Sequence, residues 1–136
     1  MVKGVMYAER GERSAGWRLK DEPTRQDLAE RTARLGESVL DLAKLVKVTA
    51  VTKNMITQLV DSGTSVHANY CEADEAESKK EFRYRIAICK KEARELAGWV
   101  RFLVRAQPDL AQPSEAVARE ARELTLVFAA IHRNST

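Results

Sequence analysis

Apolar and small residues recur at alternating intervals of four and three positions in four separate segments of the chain. Residues at this spacing lie on one side of an α-helix, so each segment predicts a helix with one apolar stripe. The most regular stripe is in the third segment: Phe82, Ile86, Cys89, Ala93, Leu96, Val100 and Leu103. Four such stripes are buried only by packing against one another, which predicts an all-α fold, an antiparallel up-down-up-down four-helix bundle.

Hydroxyl and carboxylate residues three positions apart indicate where two of the helices begin. Thr24 is followed by Asp27, and Ser78 by Glu81. In this arrangement the two side chains bind N–H groups of the first turn that have no partner within the helix. We therefore expect the first helix to begin at Thr24 and the third to cover residues 78–106.

Two prolines separate the third helix from the fourth. Pro108 ends the third helix, because the residue before a proline avoids the helical conformation, and Pro113 suits the first position of the last helix. The second helix is expected at about residues 50–75. These breaks, together with the two caps, favour a bundle over a single long coiled coil.

The length and the glycine distribution set the domain organisation. A chain of 136 residues suits one domain, which we place at residues 24–132, with a short C-terminal tail at 133–136. Residues 1–23 hold three of the six glycines and no sustained period. They predict a loosely ordered N-terminal arm, which either docks through Trp17 or remains a flexible tail.

Charge, cysteine usage and hydropathy limit the class of protein and its compartment. The net charge of +3 and the pI near 9.0 are compatible with nucleic-acid binding without requiring it. Cys71 and Cys89 have no CxxC spacing, so we interpret them as reduced thiols of a cytoplasmic protein. An apolar run of about 18 residues is absent and so is a signal-like N-terminus, so we expect neither a membrane-spanning nor a secreted protein.

Residues for catalysis are sparse. His67 and His132 are the only histidines, and neither is followed or preceded by an evident set of metal ligands. The Glu-x-x-His pattern of di-metal bundles does not occur, and there is no glycine-rich phosphate loop. We therefore expect a protein that is not an enzyme, with no catalytic residues, no cofactor and no metal.

The third helix concentrates positive charge. Between residues 78 and 105 there are nine Lys or Arg residues and three Glu residues, a balance of +6 that leaves −3 for the remainder of the chain. At about 100° per residue, seven of these cations share one arc of the helix: Lys80, Arg83, Lys90, Lys91, Arg94, Arg101 and Arg105. This arc predicts a contact with a nucleic-acid backbone, and the alternative is a solvated face that favours solubility.

The second helix carries a polar stripe beside its apolar one: Gln58, Ser62, Ser65, Asn69 and Glu72. Such a ladder either faces partly hydrated space or pairs with other polar groups. The small residues between Ser62 and Ser65 would also let a neighbouring subunit approach closely. Trp99 and Phe102 lie off the basic arc of the third helix, where they suit a core or a subunit contact rather than base stacking.

Several segments resemble the signature of the four-helix bundle proteins encoded in 23S rRNA intervening sequences. They are QLVDSGTSVHANYCEA at 58–73, SKKEF at 78–82 and KEARE at 91–95 followed by Trp99, with Arg31 and Thr32 upstream. Together the matches cover the chain from about residue 24 to 132. The family usually has Arg at the position of Asp61, Gly at that of His67 and Thr at that of Leu96.

The resemblance implies a left-handed antiparallel bundle that assembles as a homopentamer. It also implies RNA association, since some members are encoded inside excised rRNA segments, and a similar group of basic pentamers serves reverse transcriptases of diversity-generating retroelements. Asn69, Glu72, Glu92 and Glu95 match motif positions, which implies structural polar pairing. Two hypotheses follow: a bundle that binds RNA or DNA as an RNP accessory protein, or a protein-interaction scaffold, such as an accessory subunit of a reverse transcriptase.

Overall fold

The computed structural model describes the backbone of residues 22–136 and the side chains of residues 25–136. This part of the chain is all-helical: α1 covers Glu22–Lys44, α2 Thr52–Asp74, α3 Lys79–Ala106 and α4 Ala111–Asn134, with a 3₁₀ turn at Pro108–Leu110. Between residues 22 and 136 there is no strand. The arm predicted for residues 1–23 lies outside the described residues up to residue 21.

The predicted cap of α3 is confirmed. Ser78 has an extended backbone, and its Oγ accepts a hydrogen bond from the Glu81 N–H at 3.0 Å. The Glu81 carboxylate in turn accepts from the N–H of Glu77 at 3.4 Å, one residue before the expected partner. The local sequence therefore supplies partners for N–H groups at the start of α3 that have none within the helix.

Two other predicted helix ends are wrong. α1 begins at Glu22, so Thr24 lies inside the first turn, where Pro23 is tolerated because N–H groups there need no intrahelical partner. α4 begins at Ala111 rather than at Pro113, directly after the 3₁₀ turn. α4 ends at Asn134, so it includes the first two residues of the segment 133–136.

The predicted stripes form one hydrophobic core. All seven residues of the α3 stripe are buried, and so are the six residues at the same spacing on α1: Leu28, Thr32, Leu35, Val39, Leu42 and Val46. Ile56 and Ile131, near the ends of the α2 and α4 stripes, are only partly buried. Burial of four stripes in one cluster is the main source of stability for helices of this length.

Contacts between consecutive helices join ascending positions on one helix to descending positions on the next. The pairs are Arg25–Asp74 and Thr32–His67 between α1 and α2, Val66–Cys89 and Asn69–Arg85 between α2 and α3, and Arg83–His132 between α3 and α4. Arg31 closes the remaining side by donating two hydrogen bonds to the Glu120 carboxylate of α4, at 2.9 and 3.0 Å. Of the helices between residues 22 and 136, none has both the length and the apolarity to cross a bilayer.

Candidate nucleic-acid interface

The basic arc of α3 borders α4. Five of its seven members are exposed: Lys80, Lys91, Arg94, Arg101 and Arg105. Arg83 and Lys90 are partly buried, on the edge of the arc that faces α4. Most of the arc is therefore accessible to a ligand, whereas Arg83 and Lys90 are partly covered by α4.

Arg83 has a structural partner. Its Nη1 donates to the carbonyl oxygen of His132 at 2.7 Å and to Ser135 Oγ at 3.3 Å. The last carbonyls of a helix lack intrahelical donors and carry partial negative charge, which a guanidinium satisfies. Ser135 is also buried, so one residue of the short C-terminal tail expected at 133–136 contacts α3. Arg83 joins α3 to the end of α4 and is less available to a phosphate than the sequence suggested.

Most of the remaining arc has no carboxylate partner. Lys91 lies 3.9 Å from Glu92. In the described part of the chain, Lys80, Lys90, Arg94, Arg101 and Arg105 form no ion pair. By contrast, Arg25, Arg31 and Arg34 each contact an acidic residue within 3 Å.

The pKa of His132 reports on the potential at this edge. It lies below the usual value, first because partial burial disfavours the charged ring and second because Arg83 and Lys90 repel a further positive charge. Arg83 and Lys90 thus lie close enough to the end of α4 to disfavour a positive charge on His132.

α4 extends the basic surface, which the sequence reasoning missed. Arg122 lines a depression of about 380 Å³ together with Arg94, and Ala97, Thr125 and Leu126 complete its walls. Arg119 and Arg133 are also exposed, and the helical spacing places both on the same side of α4 as Arg122. Their shared face was a signal in the sequence, but only the packing of α4 beside α3 brings Arg122 to the arc.

The polar ladder of α2 lies along α3. Ser62 is 3% exposed, and its hydroxyl has a small lowering effect on the pKa of the Glu92 carboxyl across the α2–α3 contact. The Asn69 amide donates to the Ser65 carbonyl at 2.9 Å, and its oxygen accepts from Arg85 Nη1 at 3.1 Å. Asn69 therefore pairs with polar groups of the same chain. Glu72 is exposed and Ser65 half-buried.

Two small residues of α2, Ser62 of the ladder and the adjacent Gly63, are buried against other helices of the same chain. Gly63 is buried against Val39 of α1, and Ser62 is buried against α3. The expectation that this stretch admits a neighbouring subunit does not apply to these two residues, because other helices of the same chain already occupy the space. Thr64 is exposed on the same helix.

A partly exposed apolar face lies on α3 beside the edge of the basic arc that Lys91 forms. Trp99 is half-buried and packs edge to face on Phe102, with ring centroids 5.9 Å apart and an interplanar angle of 81°. Phe102 and Tyr84 are 53% and 61% exposed. Glu95 is exposed nearby. The pKa of Glu92 is raised first by the partial burial of Glu92 itself and second by the negative charge of Glu95.

Cys71 and His67 form a contact that the sequence reasoning overlooked. The two residues are one helical turn apart, and Cys71 Sγ lies 3.4 Å from His67 Nε2. Burial and then the nearby Asp74 raise the pKa of the Cys71 thiol, which disfavours the nucleophilic thiolate. Among residues 25–136, no three His, Cys, Asp or Glu side chains form a group suited to a metal ion.

Comparisons with known proteins bear on the fold. Neither a scan against protein-family models nor a search of curated proteins gave a match. Among solved structures, the chain is similar to a Bacteroides thetaiotaomicron protein of unknown function from the S23 ribosomal protein family. The two are 23% identical, with a TM-score of 0.70 over 81% of this chain and 98% of the other. The likeness shows a shared helical fold.

Proposed function

We propose that this protein is a non-enzymatic bundle that binds the phosphate backbone of RNA or DNA, as an accessory component of a ribonucleoprotein. The binding element is the basic surface, defined here as Lys80, Lys90, Lys91, Arg94, Arg101 and Arg105 of α3 with Arg122 of α4. One observation carries the proposal. In a chain with 20 acidic residues, five cations of one helix face have no carboxylate partner among the described residues.

The dimensions of the surface suit a nucleic-acid backbone. Lys80 and Arg105 are separated by 25 positions, which corresponds to about 37 Å along a helix. Phosphates along such a length offer many evenly spaced negative charges, and each contact releases a bound counterion. The five cations give affinity through this release without requiring any one base sequence.

The salt dependence of binding tests the proposal. We expect log affinity for labelled RNA or DNA to fall linearly with log salt, and the variant Arg94→Glu/Arg101→Glu to weaken binding and flatten the slope. The matched control is Lys44→Glu/Lys53→Glu, which makes the same change in net charge at exposed positions of α1 and α2. Absence of binding at low salt, or equal loss in both variants, would exclude a specific role for the basic surface.

We also propose that the chain belongs to the 23S rRNA intervening-sequence family and forms an antiparallel up-down-up-down bundle that assembles in the cytoplasm as a homopentamer. The motif resemblance and the helical fold of the solved neighbour support the family. The reversed order of contacts between consecutive helices supports the antiparallel arrangement. Native mass spectrometry at micromolar concentration tests the assembly, and a monomer would contradict it.

A protein-interaction scaffold is the second candidate, favoured by a specific feature. The exposed Tyr84 and Phe102, together with the half-buried Trp99, present aromatic area of the kind enriched in protein interfaces. The proposed partner is a reverse transcriptase or another subunit of a mobile element. Co-purification of protein that survives nuclease treatment and is lost in Phe102→Ser would favour this function over nucleic-acid binding.

A further inference from the structure

The depression between α3 and α4 combines an apolar lining with cations on both of its helices. Arg94 comes from α3 and Arg122 from α4, while Ala97, Thr125 and Leu126 line the space between them. From this arrangement we propose that the depression holds an unpaired base of single-stranded RNA or DNA, with adjacent phosphates bound by Arg94 and Arg122. The inference rests on the proposed function and specifies its substrate class.

The lining offers the face of a base a contact without competing hydrogen-bond groups. Leu126 is 72% exposed, the highest exposure among the exposed large apolar side chains of the described residues. The Thr125 hydroxyl donates to the Ala121 carbonyl at 2.7 Å, so its proton is already used within α4. What remains is mainly methyl and methylene surface, which favours contact with the flat, weakly hydrated face of a base.

The charges of Arg94 and Arg122 favour a nucleotide over a neutral apolar segment as the ligand of the depression. Neither Arg94 nor Arg122 has an acidic partner among the described residues, so each is free to bind a phosphate. Guanidinium planes also stack on bases and add to the contact. A neutral apolar segment would leave both charges uncompensated at the rim, whereas a nucleotide supplies an apolar face and negative charge together.

Single strands fit this chemistry better than duplexes. In a duplex the base faces are stacked on one another, and only the base edges are accessible in the grooves. The depression offers apolar contact rather than a set of donors aimed at base edges. An unpaired base, in contrast, places its face on Leu126 while its backbone follows the cations on either side.

Anisotropy titrations of the full chain with labelled oligonucleotides of about 12 nucleotides test the inference, using single-stranded RNA, single-stranded DNA and the corresponding duplexes. Leu126→Ser removes the apolar contact from an exposed position and keeps the charge. We expect it to weaken single-strand binding about tenfold and to leave duplex binding unchanged, whereas Leu126→Phe retains or strengthens single-strand binding. The control is Leu40→Ser, at an exposed leucine of α1.

The outcomes separate this inference from the proposed function. Equal binding of single strands and duplexes, both unaffected by Leu126→Ser, would overturn the base site and leave backbone binding intact. Absence of binding to every nucleic acid would overturn both, and Leu126-dependent binding of an acidic peptide instead would identify the occupant as protein. Loss of single-strand binding in Leu126→Ser supports the base site, whether the strand is RNA or DNA. The ratio of RNA affinity to DNA affinity then shows whether the protein also contacts the 2′-hydroxyl.

Discussion

Gly63 of α2 faces the side chain of Val39 of α1 at a distance that leaves no room for a methyl group. A Cβ placed on Gly63 would lie 2.6–2.8 Å from three carbon atoms of Val39. Both residues are buried, and Val39 is fully so. The glycine therefore sets how closely α1 and α2 approach in the middle of the bundle.

Gly63→Ala is expected to lower the free energy of unfolding by about 1–3 kcal/mol, because Val39 or the helices must move to accept the new methyl group. The control is Gly98→Ala in α3, where an added Cβ meets no atom within 4 Å. That change is expected to raise the free energy of unfolding by about 0.5–1 kcal/mol, through helix propensity alone. Urea denaturation measures both, and stabilisation of both variants would contradict the close approach.

Gly63 also shows why the fold was predictable and its contacts were not. The spacing of apolar residues fixes which side of each helix is buried, and this was sufficient for an all-helical fold with one core. A small residue beside the stripe indicates that something approaches closely, but the pattern is the same whether the neighbour belongs to the same chain or to another. We expected a second subunit at Ser62 and Gly63, and the structure places α3 and α1 there.

The candidate interface was predictable in part for a related reason. The charges of α3 share an arc because they share a helix, so the sequence alone reveals them. The partner of Arg83 is 49 residues away, at His132, and Arg122 reaches the arc only because α4 packs beside α3. Contacts of this kind depend on how each helix is rotated about its axis, which periodicity along a single helix does not specify.

Thr32 and His67 form a polar link between α1 and α2 whose strength is measurable. The fully buried Thr32 Oγ1 lies 2.8 Å from the Leu28 carbonyl oxygen and 2.9 Å from His67 Nδ1, to which it hydrogen-bonds as donor or acceptor according to the tautomer of the ring. A double-mutant cycle of Thr32→Val and His67→Ala is expected to give a coupling energy of about 0.5–1.5 kcal/mol. Thr125→Val, in the distant α4, combined with His67→Ala should be additive. Additivity in both cycles would mean that the contact contributes no measurable interaction energy.

Glu92 makes stability depend on pH in a predictable direction. Burial first, and the charge of Glu95 second, raise its pKa above the ordinary value, so the folded state binds a proton more readily than the unfolded state. The charged carboxylate therefore lowers stability at neutral pH. This penalty disappears as the pH falls through the folded pKa toward the unfolded value near 4.5.

Glu92→Gln is accordingly expected to raise the free energy of unfolding at pH 7, since the amide keeps the shape of the side chain and removes the partly buried charge. The advantage over the unsubstituted protein should shrink as the pH approaches 4.5. Thermal unfolding across this range measures the difference, and Glu37→Gln on the exposed side of α1 is the control. An advantage that grows on acidification would show that the carboxylate is stabilised in the folded state instead.

Arg83 and Arg94 lie on one arc of α3 but are expected to respond differently to loss of charge. Arg83→Gln removes the hydrogen bond at 2.7 Å to the His132 carbonyl, which should lower the free energy of unfolding by about 1–2 kcal/mol. Arg94→Gln removes a solvent-exposed charge without an ion pair in the described chain, so stability should change by less than about 0.5 kcal/mol.

Nucleic-acid affinity should show the opposite order, with the larger loss and the flatter salt slope in Arg94→Gln. Urea denaturation and salt-dependent titrations of the same two proteins test both halves. Equal losses of affinity in the two variants would place Arg83 in the interface. Its guanidinium would then bind a phosphate in addition to the His132 carbonyl.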